Sequence, residues 1–273
     1  MRLHGLGALT NRELKKWYKD PMLFFITIIQ PILWLLLFGK AMNLGAIFTS
    51  NPNIPPQLVE QAMKQTLGTS DYFSFMGVGM LGFLAFFTAT FGGMSLVWDR
   101  RLGFLNKILS TPVSRGVIIV SKLLSSSLRA MAQAVIVLGV GWALGIKFGP
   151  TFSILSLLGV FLVVFLLCLG FSSLFALVAI RSTHWERPMA IVNLVNMPLM
   201  FASNAFYPTS LMPSWLAAVA KVNPLTYAID ALRQLLVYET DVGKLIFDLA
   251  YLAVFSAVLV AIGIILSKKY LSK

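Results

Sequence analysis

The sequence predicts an all-α, polytopic membrane protein with six transmembrane helices, and two observations carry that prediction. Hydrophobic residues make up 58% of the 273-residue chain and charged residues 12%, about half the charged share of an ordinary soluble domain. The apolar residues fall in long runs rather than one-sided helical stripes, and the mean hydropathy is +0.83. Lipid is therefore the expected solvent, and we interpret residues 1–273 as a single membrane domain.

Six apolar runs have the length that a bilayer crossing requires, since about 20 residues rising about 1.5 Å each span the hydrocarbon core. Pro31 and Pro198 fall inside two of these runs, where packing against neighbouring helices tolerates a kink. A short helix is expected outside the membrane, near residues 57–67. The predicted spans are 22–38, 73–97, 117–146, 152–180, 189–206 and 245–266.

The distribution of Lys and Arg predicts that both chain ends are cytoplasmic and that the protein lies in the cell membrane. With the N-terminus inside, the inner segments carry fifteen Lys and Arg residues and the outer segments carry six. Basic residues accumulate on the cytoplasmic side of membrane proteins. The net charge of +12 is therefore assigned to the inner membrane surface and not to nucleic acid binding.

Residues 1–20 predict an amphipathic helix that lies in the membrane interface before the first span. Trp17 and Tyr18 suit the headgroup level, and the lysines suit anionic lipid on the inner face. A solvated basic leader is the alternative. The apolar arc contains Leu6, Leu9, Leu14, Trp17 and Tyr18, and the opposite arc contains Arg12, Lys15, Lys16 and Lys19.

A second amphipathic helix is predicted on the inner face, within residues 99–112. Apolar side chains recur there at helical spacing, basic side chains flank them, and Pro112 ends the helix. A simple connection needs only a polar turn, so this helix either lies on lipid or docks into a partner protein. Periodicity leaves both interpretations open. The apolar positions are Leu102, Leu105, Ile108 and Leu109, with Phe104 beside them.

Residues 207–236 predict a re-entrant hairpin at the outer leaflet. This stretch is too apolar for a free loop and too interrupted by proline for a span. Asp230 and Arg233 are three residues apart on a helix and are expected to pair. We favour a structural role for Asn223, Asp230 and Arg233, which would hold the hairpin in the outer mouth, over direct contact with a substrate.

Two motifs resemble the ABC type-2 transporter permeases, the membrane subunits that pair with a separate ATP-binding subunit. The first is Asp-Arg-Arg-x-Gly-x-Leu followed by Leu-x-Thr-Pro-Val-Ser-Arg and Lys122; the second is NPLTYAIDALR at 223–233. The order of motifs and helices is similar over essentially the whole chain. Asp99 stands where glutamate is more usual in the family, and Phe104 and Asn106 replace its usual threonine and glutamate.

The resemblance implies an inner coupling helix seated in a cleft of the ATPase and an outer signature of short re-entrant helices. It implies three partners: an ABC ATP-binding subunit, a second copy of this chain, and membrane lipid. ATP and Mg²⁺ would bind the ATPase, and no cofactor would bind this chain. The implied coupling residues are Asp99, Arg100, Arg101, Gly103, Phe104, Leu105, Ile108, Leu109 and Pro112, and those of the outer signature are Asn223, Pro224, Tyr227, Asp230 and Arg233.

The chain contains no G-x-x-x-x-G-K-[ST], H-E-x-x-H or G-x-S-x-G motif, and His4 and His184 are not placed as a metal pair. We therefore predict no catalytic residue and no metal site. The predicted function is the permease subunit of an ATP-driven exporter for an amphipathic or lipid-linked substrate. An ion-coupled secondary transporter or channel is the alternative, and a membrane enzyme is a weaker one.

Charged residues within the predicted spans are few, which argues against ion coupling, because that mechanism normally uses titratable groups near the midplane. Apart from Lys122, which the charge count assigns to the inner segment, and Asp248 near the outer end of the last span, only Arg129 interrupts the runs. We assign Arg129 to the inner membrane interface, which its side chain would reach by snorkelling. Gly141 and Gly145, together with five glycines in the second span, predict close helix packing.

Overall fold

The computed structural model describes residues 5–37, 39, 55–182 and 184–271. His4, Phe38, the segment 40–54 and Lys273 lie outside these residues, together with the predictions that concern them. The described chain is helical and contains no β-strand, in agreement with the predicted fold class. Its helices are α1 (Leu6–Tyr18), α2 (Pro21–Leu36), α3 (Pro56–Leu67), α4 (Tyr72–Arg101), α5 (Phe104–Leu109), α6 (Arg115–Ala143), α7 (Ile154–Ala179), α8 (Glu186–Phe201), α9 (Ser214–Ala220), α10 (Pro224–Leu236) and α11 (Val242–Tyr270), with a 3-10 turn at Thr209–Leu211.

Four helical stretches of the described chain are long and apolar enough to cross a membrane, and a bent pair raises the number to five. The pair is α1 with α2, which meet at an angle of 76°. The predicted interfacial helix and first span are thus separate helices joined at a sharp bend. Helix α8 has 16 residues and covers the predicted span 189–206 only as far as Phe201. The count of six spans stays a prediction.

Side chains of Asp and Asn mark the beginning of four helices. Asp20, Asp71, Asn223 and Asp241 each accept a hydrogen bond from a backbone amide in the first turn of α2, α4, α10 and α11, respectively. Such caps satisfy amide groups that have no partner within the helix. Local sequence therefore fixes these boundaries, and α4 and α11 begin within three residues of the predicted positions.

Helix α4 forms the centre of the bundle, with α6, α7 and α10 packed around it. Its glycines allow this close approach. A Cβ atom on Gly93 would lie 2.5 Å from the carbonyl oxygen of Ser172 in α7. Gly92 faces Ser126 of α6, and the hydroxyl oxygens of Ser126 and Ser172 lie 2.7 Å apart beside it. The predicted glycine-rich face is thus a packing surface within this chain.

The pair Gly141 and Gly145 does not form one helical face. Ile146 packs over Gly141, where an added Cβ would meet its Cδ1 atom at 2.5 Å. Gly145 lies beyond the end of α6 and has a φ of +107°, a conformation that glycine adopts readily. Gly145 therefore ends the helix, and the prediction of a two-glycine packing motif was wrong on this point.

The inner connection is organised differently from the predicted amphipathic helix. Helix α4 continues to Arg101, so Asp99 and Arg100 lie in the last turn of this long helix. Gly103 has a φ of +69° and allows the sharp turn into the six-residue α5. Leu102 lies in this turn and is 74% exposed, whereas Leu105 is 1% exposed. Leu102 thus does not share the buried apolar face of α5.

Candidate functional site

Charged side chains from three helices meet at the end of the bundle that is predicted to be cytoplasmic. We call this end the inner end, the opposite end the outer end, and these side chains the inner charge cluster. Asp99 lies at its centre and is buried. Lys122 Nζ lies 2.5 Å from Asp99 Oδ2, and Lys16 Nζ lies 2.9 Å from Asp99 Oδ1. These ion pairs join α1, α4 and α6. The cluster consists of Arg12, Glu13, Lys16, Asp99 and Lys122.

Arg12 extends this cluster to helix α5. The central guanidinium carbon of Arg12 lies 3.0 Å from the centre of the Phe104 ring, and its Nη1 atom lies 2.7 Å from Glu13 Oε1. A cation over an aromatic face is attracted to the electron-rich ring. Phe104, one of the departures from the family pattern, therefore links α5 to α1.

Arg100 fixes the inner end of α4 to the chain that follows α7. Its guanidinium donates hydrogen bonds to the carbonyl oxygens of Ile180 and Ser182, at 2.7 and 2.9 Å. Arg100 and Asp99 are therefore engaged within the bundle. Any force on the inner connection reaches α1, α4, α6 and the end of α7 together.

The predicted coupling residues divide between the bundle and the surface. Leu105 and Ile108 are buried in the hydrophobic core, and Phe104 and Leu109 pack against it. Gly103 forms the turn between α4 and α5. The apolar face of α5 therefore packs on this chain, and a partner would meet its opposite side. The exposed residues of the connection are Arg101, Leu102, Asn106, Lys107, Ser110, Thr111 and Pro112.

Asn223 fixes the outer helix α10 to the end of α8. Its Nδ2 group donates hydrogen bonds to the carbonyl oxygens of Leu199 and Ala202, at 2.7 and 2.9 Å, while its Oδ1 caps the amide of Leu225. Pro224 follows as the first residue of α10, a position where its missing N–H costs nothing. Asn223 thus sets both the start and the location of α10.

Arg233 is buried between α10 and α4. It is 1% exposed, and its guanidinium donates to the carbonyl oxygens of Phe75 and Ala205 at 3.2 to 3.3 Å. Its central carbon also lies 3.5 Å from the centre of the Phe75 ring. Gly79 makes room, since an added Cβ would lie 3.0 Å from the guanidinium.

The expected pair between Asp230 and Arg233 is wrong. Asp230 instead accepts a hydrogen bond from Asn204 Nδ2 at 2.6 Å and pairs with Lys244 Nζ at 3.0 Å. The two side chains leave α10 in different directions, because Arg233 points to α4 and Asp230 points to the start of α11. Tyr227, the remaining residue of the outer signature, stacks on Tyr251 with ring centres 4.1 Å apart.

Two further outer contacts were missed by reasoning from sequence. Gln234 donates to Asp248 Oδ2 at 3.0 Å, and Tyr238 donates its hydroxyl to the carbonyl oxygen of Leu67 at 2.7 Å. Burial raises the pKa of Tyr238, so this hydroxyl stays protonated and remains a donor. The only signal in the sequence was the position of Asp248 within an apolar run, because a carboxyl group there needs a polar partner.

The residues assigned to the membrane interface lie in three different environments. Trp17 is buried and donates its indole N–H to Thr27 Oγ1 at 2.9 Å, so it packs on α2 rather than at the headgroup level. Tyr18 is 49% exposed. Arg129 is half-buried and lines a cavity between α2, α4 and α6.

The described ranges contain no group of three or more His, Cys, Asp or Glu side chains able to hold a metal ion. The two described ends of the bundle instead present fixed contacts between helices. These contacts join neighbouring helices at each end.

Comparison with known proteins identifies relatives along nearly the whole chain. The family model for the ABC-2 type transporter matches residues 4–237. A putative transport permease, ycf38, of Cyanophora paradoxa is 30% identical over 92% of this chain and 81% of its own length. A probable doxorubicin resistance ABC transporter permease protein, DrrC, of Mycobacterium tuberculosis is 26% identical over 93% of this chain and 86% of its own. The daunorubicin resistance ABC transporter permease protein DrrB1 of Streptomyces coeruleorubidus is 24% identical over 79% and 69%, respectively.

Proposed function

We propose that this chain, which belongs to the ABC-2 type transporter family, works as an exporter in the cell membrane and is driven by a separate ATPase. The family consists of ABC transporter permease subunits, and membrane transport is the activity on which the proposal builds. ATP and Mg²⁺ would bind the ATPase, because the sequence has no phosphate-binding loop of its own.

The contact of α5 with α1, together with the ion pairs that join α4 to α1 and α6, is the observation that carries the proposal. Arg12 lies over Phe104, while Asp99 binds Lys16 and Lys122. A partner that pushes on the exposed side of this connection would therefore displace α1, α4 and α6 as a unit. Packed helices move as units because their interfaces do not deform continuously.

Outward transport of an amphipathic or lipid-linked substrate is the finer part of the proposal. Support comes from relatives whose names state doxorubicin and daunorubicin resistance, and from the apolar surfaces of the helices. Two copies of the chain would form the path, with both chain ends in the cytoplasm. The excess of Lys and Arg in the predicted inner segments supports this orientation.

Binding of the ATPase to Leu102→Asp tests the docking surface. Leu102 is 74% exposed, so the substitution adds a charge without disturbing the core. Leu211→Asp at the predicted outer side is the matched control, because Leu211 is 62% exposed. We expect the purified subunits to associate about tenfold more weakly for Leu102→Asp. The control variant should associate as tightly as wild type. Equal binding of wild type and Leu102→Asp would show that the partner docks elsewhere.

A further inference from the structure

We propose that a cavity between α2, α4 and α6 binds an amphiphile with a single anionic headgroup, and that Arg129 receives this headgroup. The proposal names the substrate class of the exporter and in that sense rests on the function proposed above. The cavity has a volume of about 330 Å³. This is within the range of sites that hold small organic molecules.

Arg129 brings a positive charge into the cavity that the described protein does not neutralise. Its Nε atom is buried and has no hydrogen-bond partner among the described residues. No carboxylate of the described chain lies within 4.0 Å of its guanidinium. An unpaired cation with an orphan donor costs free energy, and an incoming anion removes that cost.

The carboxylates nearest along this side of the bundle are already engaged. Glu13 and Asp99 are shared among three cations of the inner charge cluster, which therefore keeps one positive charge in excess. Arg129 adds a second positive charge on the same side. The field in the cavity thus favours an anion and disfavours a cation.

Two other polar side chains of the cavity, Thr88 and Gln133, are bonded to each other, and Arg129 is the charged side chain of the lining. Thr88 donates to Gln133 Oε1 at 2.7 Å, and Gln133 Nε2 reaches the carbonyl oxygen of Thr27 at 3.5 Å. These bonds hold the Gln133 amide in one orientation. A ligand that used the Gln133 amide would have to break them, whereas an anion at Arg129 would not.

The remaining wall of the cavity is apolar and includes Ile26, Phe87 and Phe91. Phe91 is 50% exposed, so the cavity continues towards the outside of the bundle, where the hydrocarbon of the bilayer would lie. One cation within an apolar wall fits a ligand with one anionic end and an apolar body. A free inorganic anion would leave this wall unused.

Tryptophan fluorescence responds to such binding, because two of the six tryptophans, Trp98 and Trp185, line the cavity with their ring centres 4.5 Å apart. The full chain in phosphatidylcholine nanodiscs would be titrated with dodecyl phosphate and with dodecyltrimethylammonium. We expect wild type to bind the phosphate at least about tenfold more tightly, as charge-assisted hydrogen bonds predict. Arg129→Gln should lose that preference and Arg129→Lys should keep most of it.

Arg181→Gln is the matched control, since Arg181 is an exposed arginine outside the cavity and should leave the preference unchanged. Equal affinity of wild type for both amphiphiles would overturn the proposal, and so would the same loss in Arg181→Gln as in Arg129→Gln. Displacement of the probe by inorganic phosphate at the same concentration would show a simple anion site and would equally overturn it. The wild-type comparison and Arg129→Lys decide the matter if Arg129→Gln fails to fold.

The titration uses neither ATPase nor nucleotide. A failure of the coupling surface would therefore leave the binding result intact, and a failure of binding would leave ATP-driven transport intact. The two proposals are thus tested separately.

Discussion

The inner and outer ends of the bundle are both held by buried charged groups, but the bonding differs. At the inner end, side-chain charges bind one another, with Asp99 shared between Lys122 and Lys16. At the outer end, Arg233 binds the backbone carbonyl oxygens of Phe75 and Ala205. Ion pairs between long side chains can exchange partners when helices shift, whereas contacts to backbone fix one arrangement. The inner end is thus suited to transmit movement, and the outer end to resist it.

Removal of Arg233 should have the largest effect on stability. Arg233→Met would remove the guanidinium donor from the carbonyl oxygens of Phe75 and Ala205 and would remove the contact with the Phe75 ring. We expect the free energy of unfolding to fall by about 4 kcal/mol, as for other buried charged contacts. Denaturant unfolding in detergent micelles measures this. Arg181→Met, at an exposed arginine, should change little, and equal losses in both variants would contradict the special role of Arg233.

Disruption of the inner charge cluster should cost less, because spare partners remain nearby. Asp99→Asn leaves Lys122 with the Ser95 hydroxyl at 3.1 Å and with one carboxylate, that of Glu13, whose Oε1 lies 3.6 Å from its Nζ. We expect a loss of about 3 kcal/mol in the same unfolding measurement. The double variant Asp99→Asn with Lys122→Met should recover part of this loss, since no buried cation is then left unpaired. Simple additivity of the two single losses would show that the residues are not coupled.

A disturbance of the close packing between α4 and α7 should lower the free energy of unfolding by a smaller amount. Gly93→Ala would place a Cβ 2.5 Å from the Ser172 carbonyl oxygen, so α4 and α7 must separate. A loss of about 2 kcal/mol is typical of overpacking. Gly139→Ala is the control, because an added Cβ there meets no atom within 4 Å. If both variants unfold alike, α4 and α7 are not packed as closely as described.

The sequence predicted the helical membrane fold because long apolar runs are local signals, and the caps that the structure shows are local as well. Asp71 and Asp241 mark the start of α4 and α11 within the chain itself. The ion pair between Asp99 and Lys16 could not be predicted from local signals, because 83 residues separate the two side chains along the chain. Only the bend between α1 and α2 brings them together.

Amphipathic patterns were informative about burial and ambiguous about the partner. Leu105 and Ile108 belong to an apolar face, as predicted, but periodicity does not say whether lipid, another protein or the same chain covers it. The same limit explains why the predicted pair between Asp230 and Arg233 was wrong, because residues from other helices compete with a neighbour at helical spacing for the Asp230 carboxylate. The Asp230 carboxylate binds Lys244 and Asn204 instead.

Transport by proteoliposomes tests the central claim most directly. Vesicles containing this chain, with or without its ABC ATPase and Mg-ATP, would be loaded on the cytoplasmic side with a fluorescent amphiphile that carries an anionic headgroup. The account predicts that the amphiphile crosses only when both subunits and hydrolysable ATP are present. Equal movement by this chain alone, with or without an imposed ion gradient, would contradict it.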